Sequence, residues 1–107
     1  MDIDVYGRNR WSGDTLILEI GEIKASFGEE QIEKAVLQLL SYMAILDILA
    51  SRVFPENPLR LEGVIFFRKQ EYNYDKINNK INASYEENSK LFRFRQNTII
   101  NISFEFV

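Results

Sequence analysis

The sequence contains no cysteine and no histidine. Their absence removes disulfides, structural zinc sites, iron–sulfur clusters, thiol nucleophiles and any Ser-His-Asp triad. Chemistry on polar substrates is then left to carboxylates, lysine and oxygen-seeking metals such as Mg²⁺ or Mn²⁺. No uninterrupted apolar run approaches the ~20 residues that span a bilayer. The N-terminal MDIDVYGRNR also lacks the apolar segment of a signal peptide, so the expectation is an intracellular, cytoplasmic protein without a membrane. Excess positive charge is missing too. A net charge of −3 argues against non-specific coating of nucleic acid, which draws its affinity from Lys and Arg on phosphates. It leaves a nuclease open, because a metal site is locally acidic and basic residues can gather on one face.

What is present fits one ordinary globular domain over residues 1–107. The chain is 46% hydrophobic and 27% charged, enough for a single core and too short for two. Residues 2–7, DIDVYG, alternate acidic and apolar positions and read as a strand. Residues 8–14, RNRWSGD, read as a turn region, and 15–24, TLILEIGEIK, as the plainest strand of the chain. These form a β-hairpin with a loop of several residues. Ser26 and Glu29 make the S-x-x-E of a capping box, which opens a long helix from about 29 to 52. Its apolar residues Ile32, Ala35, Val36, Leu39, Leu40, Met43 and Leu46 recur at spacings of three and four, and the only two prolines, Pro55 and Pro58, stop it.

A further strand is expected over 59–68. Its apolar centre, Val64 to Phe67, suggests burial on both faces. Strand, long helix and strand make a crossover unit, most simply with parallel strands. Residues 71–90 are rich in Asn, Tyr and charge; they fit either a short helix near 75–83 or a long exposed connection. The last stretch, 91–107, alternates twice and reads as a closing hairpin or one bent strand. No internal repeat or linker divides the chain.

The residues with chemical potential lie on the first strands and the long helix. Glu22 and Lys24 are two apart on a strand and therefore share a face. If the hairpin tip is centred near Gly13, facing residues have numbers summing to about 26, which puts Asp4 opposite Glu22. Asp14 would lie roughly 25 Å from Glu22 at about 3.3 Å per residue, too far to share a metal. Gln38 and Tyr42, four apart on the helix, lie on one face. Each part has an everyday reading: a cross-strand charge pair for Glu22 and Lys24, a polar helix edge for Gln38 and Tyr42, and an edge-strand charge for Asp4.

Taken together, Asp4, Glu22-Ile23-Lys24 and Gln38-Leu39-Leu40-Ser41-Tyr42 resemble the PD-(D/E)xK nuclease superfamily, in particular its RecB-like branch with a Q-x-x-x-Y motif. The resemblance covers roughly residues 2–50, with 61–68 as the next core strand. It implies an α/β fold with a restriction-endonuclease-like core: a mixed sheet with an N-terminal hairpin, one long helix after the E-x-K strand, and a C-terminal β segment. It also implies a metal-dependent nuclease that hydrolyses DNA. Asp4, Glu22 and the Ile23 backbone carbonyl would hold Mg²⁺ or Mn²⁺. Lys24 would orient the attacking water and offset phosphate charge, with Gln38 and Tyr42 in support. Two features depart from the family pattern. The usual helix before the first core strand is missing, so the domain is expected to be minimal or truncated, or to have its site completed by a partner, and Ile3 replaces the proline before the aspartate.

Two other readings belong to different classes: an inactive nuclease-fold module that binds nucleic acid or protein, and a small α/β domain that pairs with a second copy. A homodimer also suits a nuclease acting on a two-stranded substrate. Lys90, Arg93 and Arg95, interleaved with Phe92 and Phe94, offer a nucleic-acid track. On a strand, however, their alternation is equally that of a core face and a solvent face. Trp11 reads as a contact residue or a cap on the sheet, and for Tyr72, Tyr74 and Tyr85 in the polar stretch a partner surface is one reading, which the sequence alone does not select.

Overall fold

The computed structural model describes residues 5–24, 28–68 and 74–106. Over these residues the chain is an α/β domain with a four-stranded mixed sheet and two helices. In order it runs β1 (Val5–Ser12), β2 (Thr15–Lys24), α1 (Glu29–Val53), β3 (Leu59–Phe67), α2 (Tyr74–Asn88), a short 3₁₀ turn at Ser89–Leu91, and β4 (Thr98–Phe106). The sheet order is β1-β2-β3-β4. The first pair is antiparallel, while β2 with β3 and β3 with β4 are parallel, each joined through a helix.

The hairpin is tighter than the sequence suggests. Arg8 to Ser12 are strand rather than turn, and only Gly13 and Asp14 close it. Gly13 has φ 61° and no other described residue has positive φ, the signature of a type II′ turn with glycine first. Pairing of Ser12 with Thr15 propagates to Val5 with Glu22, so facing residues sum to 27 rather than 26. That single step reverses parity: the odd-numbered residues of β1 share a face with the even-numbered residues of β2.

One face of the sheet is covered by helices. Leu16 and Ile20 of β2, Leu59, Leu61, Ile65 and Phe67 of β3 and Phe104 of β4 join the buried side chains of α1 and α2 in one core. The opposite face carries Arg10, Arg60 and Glu62, with Glu62 taking Arg60 at 2.9 Å and Arg10 at 4.0 Å. On that face of β3 Arg60 is exposed and Glu62 and Phe66 are half-buried, while at the centre Val64 and Ile65 are buried on opposite faces, as the apolar run suggests.

Helix α1 buries Ala35, Val36, Leu39, Leu40 and Met43 completely. By length and composition it is apolar enough to cross a membrane, and one side of it packs into the core of the domain. Its N-cap is Gly28, with no side-chain capping bond, in place of the expected capping box; Ser26 lies outside the described residues. It rides close to β3 at Gly63, where a Cβ would stand 2.7 Å from Met43 Cε and 3.2 Å from Leu39 Cδ1.

The stretch after β3 holds a 15-residue helix, α2, longer than the short one considered. Residues 92–97 are irregular and β4 is a single strand, so neither a hairpin nor one long bent strand closes the chain.

Candidate functional site

The C-terminal ends of the three parallel strands lie at one end of the sheet, where ligands commonly bind in open α/β sheets. Glu22 stands at that end of β2. In register it belongs to the row Val5, Glu22, Ile65, Phe104, and it is only 2% exposed, on the helix-covered face. Glutamate is among the residues least often fully buried, because a carboxylate taken out of water is costly. Ile23, next to it, turns the other way and is 42% exposed. Lys24 is the last residue of β2, in register with Phe67 and Phe106.

Gln38 and Tyr42 do share one edge of α1, and the Gln38 amide donates to the Tyr42 hydroxyl at 3.0 Å. Their height follows from Leu46, which lines a hollow with Gly7, Leu18 and Ile20. α1 runs antiparallel to β2, so Tyr42 lies about 6 Å nearer the Glu22 end at 1.5 Å per residue, matching about two strand residues. Gln38 is one turn further in the same direction. Glu22, Lys24, Gln38 and Tyr42 thus gather toward one end of the domain.

Asp4 lies outside the described residues. The corrected register gives Glu22 the partner Val5, so the pairing sum of 26 no longer links Asp4 to it. Asp14 is at the opposite end, in the hairpin turn, where its carbonyl accepts from Asn57 Nδ2 at 2.9 Å. Among the described residues no group of three or more acidic side chains forms a ready metal cage.

The basic and aromatic alternation near the C-terminal strand does a different job. Phe92 and Phe94 pack against the core, and Arg95 is bound to Asp47 of α1. The Asp47 carboxylate accepts from the Arg95 backbone N–H at 2.9 Å, from Arg95 Nε at 3.0 Å and from the Thr98 hydroxyl at 2.7 Å. Burial pushes the Asp47 carboxyl up, but the Thr98 and Arg95 hydrogen bonds and the guanidinium charge outweigh it. The group is held below the ordinary aspartate value. Arg95 is thereby withdrawn from any nucleic-acid track, while Lys90 and Arg93 remain exposed.

Asp47 was legible in principle. It falls in the buried series Leu40, Met43, Asp47, Ala50, where a polar residue signals a partner elsewhere in the chain.

The remaining aromatic candidates are structural in part. Trp11 is 49% exposed and meets Phe54 edge-on at 5.0 Å. Tyr74 stacks at 4.7 Å on Phe104, Tyr85 packs on the core, and Tyr72 lies outside the described residues. Compared with family models, with curated proteins and with solved structures, the chain finds no match in any of the three.

Proposed function

We propose that the chain has a restriction-endonuclease-like core of the PD-(D/E)xK type and hydrolyses DNA phosphodiester bonds with Mg²⁺ or Mn²⁺, through Asp4, Glu22 and Lys24. The observation that carries this reading is the burial of Glu22 in a row otherwise apolar, two residues before Lys24 at the C-terminal end of β2. A position that served only packing would favour an aliphatic residue. The order of hairpin, long helix and parallel strand adds support, as does the Gln38–Tyr42 pair at the same end.

The donor chemistry suits a hard divalent cation, which prefers carboxylate and carbonyl oxygens. Glu22 supplies one carboxylate and the Ile23 carbonyl a further oxygen; the proposal requires Asp4 as the second carboxylate, and therefore that the chain leaves the Val5–Glu22 register before Asp4, since a continued strand would put the two carboxylates on opposite faces. When bound, the metal would lower the pKa of a coordinated water and offset charge on the phosphate. The chain's own part is positional. The buried wall around Glu22 excludes bulk water and fixes the carboxylate, Lys24 contributes a positive charge for the attacked phosphate, and Tyr42 orients the Gln38 amide for a nucleic-acid backbone.

The test is cleavage of single- and double-stranded DNA with Mg²⁺ or Mn²⁺ by the wild type and by Asp4→Asn, Glu22→Gln and Lys24→Ala. The wild type is expected to cut, and Lys24→Ala to lose about 10²–10³-fold in rate, as when a charge-stabilising group is removed. Cutting that survives Lys24→Ala overturns the assignment. A wild type that shifts a DNA probe without cutting makes the chain a binding module instead.

A further inference from the structure

A solvent-facing helix surface is ordinarily polar, yet the face of α1 turned away from the sheet is not. Leu37, Ile45 and Ile48 are 37%, 56% and 54% exposed there, while Leu49 and Val53 are exposed on the flank toward the hairpin. Down this face Leu37, Ser41, Ala44 and Ile48 recur at spacings of four, three and four, the repeat by which one helix seats against another. Read from either end the series runs large, small, small, large. Such a palindrome is what an isologous two-fold contact needs, because each copy must present the same patch to the other. The two small residues let the helices approach at the centre, and Leu37 of one copy then falls beside Ile48 of the other.

Charge selects the direction. The first turns of α1 carry Glu29, Glu30 and Glu33 against one lysine, Lys34, already 3.4 Å from Glu30; the last turn carries Arg52. Parallel pairing would stack acid on acid. Antiparallel pairing brings each Arg52 to the partner's acidic end and opposes the two helix dipoles.

We propose that a second copy of the chain covers this face, forming an antiparallel pair of α1 helices about a two-fold axis at the level of Tyr42 and Met43. The inference is independent of the nuclease reading, since none of the proposed site residues lies on the seam.

Sedimentation velocity of the full chain from about 1 to 500 µM provides the test; one helix pair is at the small end of specific interfaces, so micromolar affinity is expected. Ile48→Glu, with an unchanged circular dichroism spectrum, should weaken dimerisation by about 100-fold or more, as loss of a central anchor does. Arg52→Glu should weaken it as well, and adding Glu30→Lys and Glu33→Lys should restore it. Because the chain has no cysteine, Leu37→Cys combined with Ile48→Cys should give a disulfide-linked dimer. Within one chain those positions are about 16 Å apart along the helix, beyond disulfide reach. A monomer at every concentration, a dimer indifferent to Ile48→Glu, or charge reversal without restoration overturns the proposal. So does a monomer whose binding to phosphatidylcholine–phosphatidylglycerol vesicles depends on Ile48, which would make a lipid surface the occupant.

Discussion

Replacing Asp47 by alanine tests what holds the edge strand β4 to the rest of the domain. The Asp47 side chain is 5% exposed and that of Arg95 22%, and the carboxylate accepts three hydrogen bonds from Arg95 and Thr98. Alanine removes all three and strands the guanidinium, whose Nη1 and Nη2 are buried and have no partner among the described residues. Hydrogen bonds to charged groups are worth about 1.5–3 kcal/mol each but share one acceptor here and do not add. Breaking one side of a buried ion pair costs about 3–5 kcal/mol, a large part of a total stability on the order of 5–15 kcal/mol.

For a domain of this size, thermal unfolding followed by circular dichroism should then show a Tm lower by about 12–20 °C. Thr98→Val, which removes one bond, should cost about 1–1.5 kcal/mol. Converting both partners, Asp47→Leu with Arg95→Met, should recover part of the loss, because it removes the stranded guanidinium but leaves the Arg95 N–H and the Thr98 hydroxyl without their acceptor. Hydrogen exchange should report lost protection in β4 ahead of β1 and β2. A Tm change under about 4 °C, or loss of protection spread evenly over the sheet, would refute the reasoning.

Two further outcomes follow from the same geometry. Because the folded Asp47 pKa is depressed, its contribution is fully present above the unfolded value near 3.9 and is lost as pH falls through the lower folded value. Acid titration should therefore erase the difference between wild type and Asp47→Ala, and a gap that persists undiminished at the lowest pH contradicts the ion-pair account. At the hairpin tip, a Cβ on Gly13 would meet nothing within 4 Å, so Gly13→Ala tests backbone strain alone. It should cost about 1–2 kcal/mol in urea unfolding, as φ of 61° does for an L-residue; a neutral substitution would show that the turn relaxes to another type.

The core elements are legible in the sequence where burial imposes a period. The 3–4 spacing from Ile32 to Met43 and the apolar run of β2 mark α1 and β2 to within a residue or two. The hairpin register is less legible, because Gly13-Asp14 is a type II′ signal set within a longer polar stretch, 8–14, that reads as turn throughout. Arg8 to Ser12 are strand although exposed and, Trp11 apart, polar, held by pairing rather than by a buried stripe. In α2 the period is weak for a specific reason: two of its four buried positions are Ser84 and Asn88, and Asn88 Nδ2 satisfies itself on the Ser84 carbonyl at 2.8 Å. Residues 91–95 alternate like a strand but form none, since Leu91 closes the 3₁₀ turn and Arg95 is captured by an acid 48 residues earlier. Of the candidate site, the strand position of Glu22 and the shared edge of Gln38 and Tyr42 are readable from spacing. The burial of Glu22 is not, because it depends on which face α1 covers.

The parallel pairing of β3 with β4 has a consequence for how the chain acquires its shape during synthesis. The hairpin, α1 and β3 emerge first and bring most of the core, but the free side of β3 then offers unsatisfied backbone groups flanked by Leu59, Leu61, Ile65 and Phe67. That side waits about thirty residues for β4, and such non-local pairings form slowly. During the interval an unpaired strand edge is a template for another nascent chain. Engagement of Arg95 by Asp47, just ahead of β4, would deliver the strand to its place and shorten the exposure.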